Sequence, residues 1–392
     1  MIIKIYKIIN HFMSVKKSVI IFESNVGKSY TGNPKYIYEE LVRQNLDKKY
    51  KCVWVFENPK DKNLKTVGTC KKIKRLRIRY FYYIMISQFW IFDSRHPRFI
   101  IKQKDTNYIQ TWHGTPLKKL ALDMDSLSMG GETDIENYKR LFKLNTQNWD
   151  FLISQNKYSS EIFRRAFDFR NRIIEIGYPR NDRLVMKYDT DQKNALKQKY
   201  GLPLEKKIIL YAPTWRDNEF YSKMKYEMNL RINIDLFSEE LGEEAVFIIK
   251  SHYLISKNIL INNETNNSVL LLNSSSVDIQ ELFIVSDILI TDYSSVMFDF
   301  SILGKPMIFY VYDYEFYRDQ LRGLYFDIVD EVPGPIVFND IDLIDQIKKI
   351  ISSSSTYYIE YNEKYKSFVE KYNHADDGTA AIKIVELIEM LN

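Results

Sequence analysis

Short apolar strands alternate with helical segments along nearly the whole chain, and this alternation constrains the fold more than any other feature. Residues 18–23 form the first predicted strand, followed by a polar loop and a helix that begins near Pro34. The same order starts again at residue 207, after a polar helix of residues 189–200. Strands that alternate with helices pair in parallel and carry helices on both faces of the sheet. The sequence therefore predicts two consecutive α/β sheets.

Composition agrees with a two-domain globular protein. The chain has 392 residues, and a single hydrophobic core stops growing at about 250–300 residues. The two cysteines form neither a disulfide framework nor a metal cluster, which fits a reducing compartment. A net charge of +5, without a recognisable binding module, argues against nucleic acid as a partner. No nucleotide-binding glycine motif is present, and we predict neither a metal nor a cofactor.

One predicted strand, residues 108–111, leads directly into a histidine. His113 follows this strand in a turn that Gly114 and Pro116 constrain. Residues 117–120 directly after this turn suggest the first turn of a helix. In open α/β sheets, ligands bind outside the carboxyl ends of the strands. We interpret His113 as a general base. The alternative is a structural histidine in a turn.

Polar residues at three later strand ends predict an anion site. Ser294 and Ser295 precede a helix, whose first N–H groups can bind a phosphate or can simply be capped by a side chain. The planar guanidinium of Arg216 can bind phosphate through two hydrogen bonds, or can pair with Asp217. His252 follows the strand of residues 245–250 and can donate a hydrogen bond to a diphosphate.

Two segments near the N-terminus are candidates for contact with a membrane surface. Residues 1–17 place isoleucines and Phe12 at helical spacing and predict an amphipathic helix. Residues 71–79 contain six basic side chains, and an apolar, aromatic run follows at residues 80–92. That run is shorter than the ~20 residues that span a bilayer. It fits an anionic membrane surface, or an ordinary core helix and strand with a basic edge. With no signal-peptide pattern, we expect a cytoplasmic protein.

Four motifs, in order along the chain, resemble those of the CDP-glycerol glycerophosphotransferases that build wall teichoic acid, and of related ribitol-phosphate enzymes. They are TWHGTP at residues 111–116, GYPRND at 177–182, YAPTWR at 211–216 and TDYSS at 291–295. Shorter matches include residues 33–35, 251–253 and 321–323. The resemblance extends from about Ser18 to the last helix.

This resemblance implies an α/β fold of the GT-B type, with two Rossmann-like domains facing across a cleft and a C-terminal helix crossing back to the first. The predicted boundaries are an amphipathic helix at residues 1–17, an acceptor-binding domain at 18–187, a CDP-polyol-binding domain at 188–372 and the crossover helix at 373–392. Where polymerases of the family carry a large extra N-terminal domain, this chain has only about 17 residues.

The resemblance also implies a reaction. Glycerol phosphate would move from CDP-glycerol to a polyprenyl-diphosphate-linked teichoic acid precursor, with release of CMP and without a metal. His113 would be the base and His252 would bind the donor diphosphate, although His252-Tyr253 stands where some members have His-Pro. The residues implied to bind the donor are Trp112, Gly114, Thr115, Pro116, Arg180, Pro213, Thr214, Trp215, Arg216, Asp292, Tyr293, Ser294, Ser295 and Arg322.

Three other functions stay open. The first is a ribitol-phosphate transferase or polymerase that uses CDP-ribitol for teichoic acid or capsule. The second is a GT-B glycosyltransferase or epimerase that uses a UDP-sugar, and the third is a non-catalytic RNA- or membrane-binding protein. For the main interpretation, we expect a peripheral protein at the cytoplasmic face of the cell membrane.

Overall fold

The chain forms two compact units. The computed structural model describes residues 2–126, 134–214, 220–222, 225–226, 231–250, 268–272, 277–317 and 323–392. Unit 1 comprises Met1–Thr115, Lys139–Arg183 and His374–Asn392, and unit 2 comprises Pro116–Tyr138 and Leu184–Asn373. The domain boundaries drawn from the sequence stay a prediction.

Unit 1 is built on a sheet of seven parallel strands. Their order across the sheet is β3-β2-β1-β4-β5-β6-β7. Nearly every residue of β2 and β4 is buried, as expected for strands covered on both faces. The strands are β1 (Lys16–Glu23), β2 (Lys51–Phe56), β3 (Cys70–Lys74), β4 (Ser87–Phe92), β5 (Asn107–Gln110), β6 (Phe151–Ser154) and β7 (Arg172–Glu175).

Helices cover this sheet, and the last helix of the chain belongs to unit 1. Ile384 and Ile388 of that helix join the core cluster that contains Phe22 and Trp54. The Asp182 carboxylate accepts hydrogen bonds from the first two main-chain N–H groups of the helix, at 3.0 and 2.8 Å. The helices up to residue 185 and at the C-terminus are α1 (Ile2–Phe12), α2 (Gly32–Arg43), α3 (Ile78–Ile86), α4 (Ile135–Thr146), α5 (Lys157–Ala166), α6 (Asp182–Val185) and α15 (Ala380–Leu391).

Unit 2 contains a second parallel sheet, of six strands. Their order is β12-β11-β8-β13-β14-β15. The strands are β8 (Lys207–Ala212), β11 (Ala245–Ile249), β12 (Val269–Leu271), β13 (Ile288–Thr291), β14 (Met307–Tyr310) and β15 (Ile336–Val337), beside a small hairpin of β9 (Phe220–Ser222) and β10 (Lys225–Tyr226). The helices are α7 (Thr190–Lys199), α8 (Ile234–Leu241), α9 (Ile279–Val285), α10 (Val296–Phe300), α11 (Tyr314–Phe316), α12 (Ile328–Glu331), α13 (Asp340–Ser352) and α14 (Ser354–Asn373).

The segment after the TWHGTP motif differs from our reading of the sequence. Leu117-Lys118-Lys119-Leu120 suggested a first helical turn, and this was wrong. The segment is extended, and Lys118 forms an antiparallel bridge with Leu324. Its main-chain groups bond to Gly323 O (3.1 Å) and Tyr325 N (2.9 Å), so pairing with another segment replaces the helical hydrogen bonds.

The apolar run of residues 80–92 forms the end of α3 and the whole of β4. Most of its side chains are buried, which agrees with the core helix and strand that we considered as the alternative to a membrane surface. The helix predicted within residues 1–17 is present as α1, but it ends at Phe12, and Lys16 and Lys17 belong to β1. Among the described residues, no helix combines the length and apolar character that crossing a bilayer requires.

Candidate active site

Three neighbouring strands of unit 1 end at the same edge of the sheet, and polar residues follow each of them. β1 leads into Ser24 and Asn25, β4 into Asp93, and β5 into the turn that carries His113. Because parallel strands bring their carboxyl ends together, these residues meet although they are far apart in sequence.

The His113 ring is oriented by a main-chain oxygen. Its Nδ1 lies 2.9 Å from the carbonyl oxygen of Asp93, and the ring stacks on Trp112 with 4.4 Å between centroids. A carbonyl oxygen can only accept a hydrogen bond, so Nδ1 carries the proton of the neutral ring. Nε2 therefore has the free lone pair, as a general base requires.

A buried asparagine holds the turn that presents His113. Trp112 has a φ of 51°, in the left-handed region that a bulky side chain disfavours. Asn33 donates from Nδ2 to the carbonyl oxygens of Thr111 (3.0 Å) and Trp112 (3.1 Å), and its Oδ1 accepts from Arg180 N (3.2 Å). These three bonds tie the strained turn to α2 and to the GYPRND segment.

The GYPRND and TWHGTP segments have two further links. Arg180 donates from a guanidinium nitrogen to the carbonyl oxygen of His113, at 2.9 Å. The Thr115 hydroxyl donates to Gln155 (2.5 Å), and Gln155 donates to the Asp376 carboxylate (2.8 Å). Asp376 also accepts from Tyr178 N at 3.0 Å. The segment preceding α15 therefore fixes both motifs.

The surroundings of His113 change its pKa in both directions. The residue is exposed, yet the protein atoms around its ring still desolvate it, and this lowers the pKa of His113 below its usual range. The negative charge of Asp93 opposes that shift, whereas Arg180 and Arg95 add to it. The ring is consequently neutral near pH 7, where it can accept a proton.

In unit 2, the ends of β8 and β13 also meet. Thr214 N donates to the Asp292 carboxylate at 2.8 Å, and the Thr291 hydroxyl donates to the carbonyl oxygen of Ala212 at 2.8 Å. Tyr293 is buried and stacks on Tyr317, with 3.7 Å between ring centroids. These contacts join the two strand ends at which the sequence predicted an anion site.

The two serines of the TDYSS motif lie half-buried directly before α10. Ser295 is the N-cap residue of this five-residue helix, and its side chain makes no capping hydrogen bond to the helix. The Ser294 hydroxyl is 3.5 Å from Val296 N, the outer limit of a hydrogen bond. Both hydroxyls are therefore placed where a ligand could use them.

The structure thus groups the predicted site residues into two sets. Unit 1 brings together Trp112, His113, Gly114, Thr115 and Arg180, and unit 2 brings together Pro213, Thr214, Asp292, Tyr293, Ser294 and Ser295. Pro116 is the first residue of unit 2. Trp215, Arg216, His252 and Arg322 lie outside the described residues. In the described ranges, no group of three or more His, Cys, Asp or Glu side chains is placed to hold a metal ion.

Reasoning from the sequence missed three residues that surround His113: Ser24, Asn33 and Asp93. Ser24 and Asp93 directly follow buried strands, so the rule that singled out His113 applies to them as well. Asn33 lies in the short family match at residues 33–35, but that match did not reveal its role, which depends on contacts with residues about 80 positions away.

Comparison with known proteins identifies the family. Residues 5–390 match the family described as CDP-Glycerol:Poly(glycerophosphate) glycerophosphotransferase. The chain belongs to this family. It is therefore an enzyme, a glycerophosphotransferase of the teichoic acid type.

Two relatives match this glycerophosphotransferase over nearly their full length. A teichoic acid poly(glycerol phosphate) polymerase of Bacillus spizizenii is 41% identical, over 98% of this chain and 96% of the relative. A teichoic acid glycerol-phosphate transferase of Staphylococcus aureus is 38% identical, over 95% of this chain and 93% of the relative. The chain spans about half the length of two longer poly(glycerol phosphate) polymerases.

A solved structure confirms the fold class. The wall teichoic acid polymerase TagF has a TM-score of 0.90 and 40% identity, over 99% of this chain and 92% of that one. The predicted GT-B-type α/β fold, with two parallel sheets and a C-terminal helix returning to the first unit, is confirmed.

Proposed function

We propose that this glycerophosphotransferase transfers glycerol phosphate from CDP-glycerol to a lipid-linked teichoic acid precursor and releases CMP, with His113 as general base. The observation that carries the proposal is the hydrogen bond from His113 Nδ1 to the Asp93 carbonyl oxygen, at 2.9 Å. It fixes the tautomer in which Nε2 can take a proton. Family membership supplies the donor class.

The proposed reaction is an in-line displacement at phosphorus. A hydroxyl of the acceptor attacks the phosphorus that carries glycerol and gives its proton to Nε2 of His113. The new P–O bond forms as the bond to CMP breaks, so CMP leaves with the electron pair. Such transfers depend on positioning and on donors directed at the developing negative charge.

The edge of unit 2 would hold the donor phosphates. Its described part offers the hydroxyls of Ser294 and Ser295 beside the Thr214–Asp292 contact. Asp292 is already a main-chain acceptor and Tyr293 is buried, so we assign those two residues to shaping the site. The contributions of Arg216, His252, Trp215 and Arg322 rest on the family motifs. Metal independence stays a prediction, which activity in excess chelator would test.

Glycerol is favoured over ribitol by the relatives. The two full-length relatives are named for glycerol phosphate. The relatives do not distinguish the addition of one unit from polymerisation, because one is named a transferase and the other a polymerase.

The deciding experiment measures CMP release with a lipid-linked acceptor present and CDP-glycerol, CDP-ribitol or a UDP-sugar as donor. We expect turnover with CDP-glycerol and at least tenfold lower kcat/KM with CDP-ribitol. Turnover with CDP-ribitol or a UDP-sugar alone would contradict the proposal. Product length in the same reactions separates single addition from polymerisation.

An anionic membrane surface is the partner that we propose for α1. Tyr6 exchanges hydrogen bonds with the main chain of Ile101 (3.1 and 3.0 Å), and Gln103 donates to the carbonyl oxygen of Asn10 (2.6 Å). This face anchors the helix to unit 1, while Ile8 and Phe12 on the other side are 62% and 79% exposed. Exposed apolar residues interleaved with lysines fit the headgroup region of a membrane. Such contact would keep the enzyme at the cytoplasmic face, beside its lipid-linked acceptor.

Vesicle binding tests this surface directly. We expect Ile8→Asp combined with Phe12→Asp to reduce sedimentation with anionic phospholipid vesicles at least tenfold. Ile359→Asp is the matched control, because Ile359 is 84% exposed on α14 of unit 2. Equal vesicle binding by the double variant and the control would remove α1 as the membrane contact.

A further inference from the structure

A buried carboxylate lies directly behind His113. Asp93 is 2% exposed, and its oxygens accept from the hydroxyls of Ser24 and Ser94 (both 2.7 Å) and from Asn25 N (2.9 and 3.1 Å). Burial raises the pKa of Asp93, but every one of these donors stabilises the ionised form. The carboxylate is thus held in place by two residues of the turn after β1 and by its own neighbour in the chain.

The start of α2 also faces this carboxylate. A Cβ atom added to Gly32 would lie 3.5 Å from Asp93 Oδ2 and 3.5 Å from the Ser24 hydroxyl, and Gly32 has a φ of +69°. The positive end of the α2 dipole therefore lies close to the negative charge. A helix terminus and three hydrogen-bond donors together favour an anion at this position.

Asp93 reaches His113 through its main chain. The ring bonds to the carbonyl oxygen of Asp93, while the carboxylate of the same residue bonds to Ser24 and Asn25 in the turn after β1. Fixing the carboxylate therefore fixes the carbonyl that orients the ring.

We infer that Asp93 is a positioning residue for His113. The bonds to its carboxylate fix the carbonyl that orients the imidazole, and its negative charge stabilises the imidazolium formed when Nε2 takes the acceptor proton. The inference rests on the proposed role of His113 as base. It gives Asp93 a part in the reaction without any contact with substrate.

The other charges near the ring determine whether loss of the Asp93 charge raises or lowers the pKa of His113. Arg180 and Arg95 disfavour the imidazolium, and Asp93 opposes them. Glu23 interacts electrostatically with Asp93 and is paired with Arg75, with 3.1 Å between Oε1 and Nε. Removing the charge of Asp93 leaves the two arginines unopposed. We therefore expect the pKa of His113 to fall further and the base to weaken.

Histidine NMR on the full chain tests this without turnover. Asp93→Asn keeps the shape and an acceptor oxygen but removes the charge, and the His113 signal can be assigned by its loss in His113→Gln. We expect the His113 pKa to drop by about one unit in Asp93→Asn. Asp105→Asn, at an exposed position of the same unit, should leave it in place. An unchanged His113 pKa in Asp93→Asn would overturn the inference.

The pH profile of kcat separates this inference from the proposed base. In Asp93→Asn we expect the acid limb of the profile to move to lower pH together with the His113 pKa. The plateau of kcat should fall about 10- to 100-fold, and the KM for CDP-glycerol should change less than twofold. If the His113 pKa shifts while the acid limb stays, His113 is not the base, although Asp93 still acts on the ring.

Two milder variants cover the case in which Asp93→Asn does not fold. Ser24→Ala and Ser94→Ala each remove one donor to the carboxylate and keep its charge. We expect each to lower kcat several-fold with little change in KM for CDP-glycerol. Wild-type kcat in both variants would overturn the inference.

Discussion

The two candidate edges of this glycerophosphotransferase are built differently. In unit 1, the turn that carries His113 is held by hydrogen bonds from Asn33 and Arg180, and it lies beside the buried carboxylate of Asp93. In the described part of unit 2, the strand ends are joined by the hydrogen bonds of Thr214 with Asp292 and of Thr291 with Ala212, and short hydroxyl side chains lie half-buried before a helix.

This difference suggests a division of labour. A general base must present one atom at one place, so a rigid turn with a fixed tautomer suits chemistry. A phosphate site needs several donors whose loss weakens binding in small steps. We therefore expect substitutions at the edge of unit 1 to act mainly on kcat, and those at the edge of unit 2 mainly on KM.

The largest expected effect is that of His113→Ala. Without an acceptor for the hydroxyl proton, kcat should fall on the order of 10³–10⁴-fold, while calorimetry still detects CDP-glycerol binding. Retention of more than about a tenth of the wild-type rate would exclude His113 as the base.

The next effect should come from Asn33→Ala. This change removes two donors to the main chain of Thr111 and Trp112 and the acceptor of Arg180 N. With Trp112 no longer held at positive φ, His113 should move, and kcat should fall about 10- to 100-fold with KM nearly unchanged. Asn148→Ala is the matched control, because Asn148 bonds only within the segment at the end of α4. Equal kcat in both variants would show that the turn keeps its shape without Asn33.

Ser294→Ala combined with Ser295→Ala should have a smaller effect, on KM instead of kcat. Loss of two hydroxyl donors should raise the KM for CDP-glycerol about tenfold and change kcat by less than about threefold. Ser355→Ala, an exposed serine of α14, serves as the control. A fall in kcat at constant KM would break the division between the two edges.

Much of the fold could be predicted from the sequence, because strand and helix periodicities are local. The strand predicted at residues 18–23 lies within β1, and the helix of residues 189–200 matches α7 with Asp189 as its cap. The error at residues 117–120 has a long-range cause, since that segment pairs with residues about 200 positions away. Local sequence carries no signal for such a bridge.

The candidate site shows the same limit. His113 was identifiable because a strand, a glycine and a proline surround it. Its tautomer was not, because that depends on the carbonyl oxygen of Asp93, 20 residues earlier. Likewise, Ser24 and Asp93 meet only because β1 and β4 are neighbours in the sheet. Strand order, more than residue type, decides which side chains act together.

The buried carboxyl group of Glu23, next to the edge of unit 1, should lower the free energy of unfolding when it is ionised. Burial raises the pKa of Glu23 to about 7, although Arg75 opposes this. Between pH 4.5 and 7 the folded state holds a proton that the unfolded state releases, so Glu23 makes unit 1 less stable as pH rises through this window.

Glu23→Gln should remove this dependence. Relative to wild type, the variant should gain on the order of 1–3 kcal/mol in the free energy of unfolding between pH 4.5 and pH 7.5. Tryptophan fluorescence suits the measurement, because four of the five tryptophans lie in unit 1. The control is Glu161→Gln, at an exposed position of α5, which should parallel wild type. If Glu23→Gln also parallels wild type, ionisation of Glu23 does not lower the free energy of unfolding, and Arg75 stabilises the carboxylate enough to offset its burial.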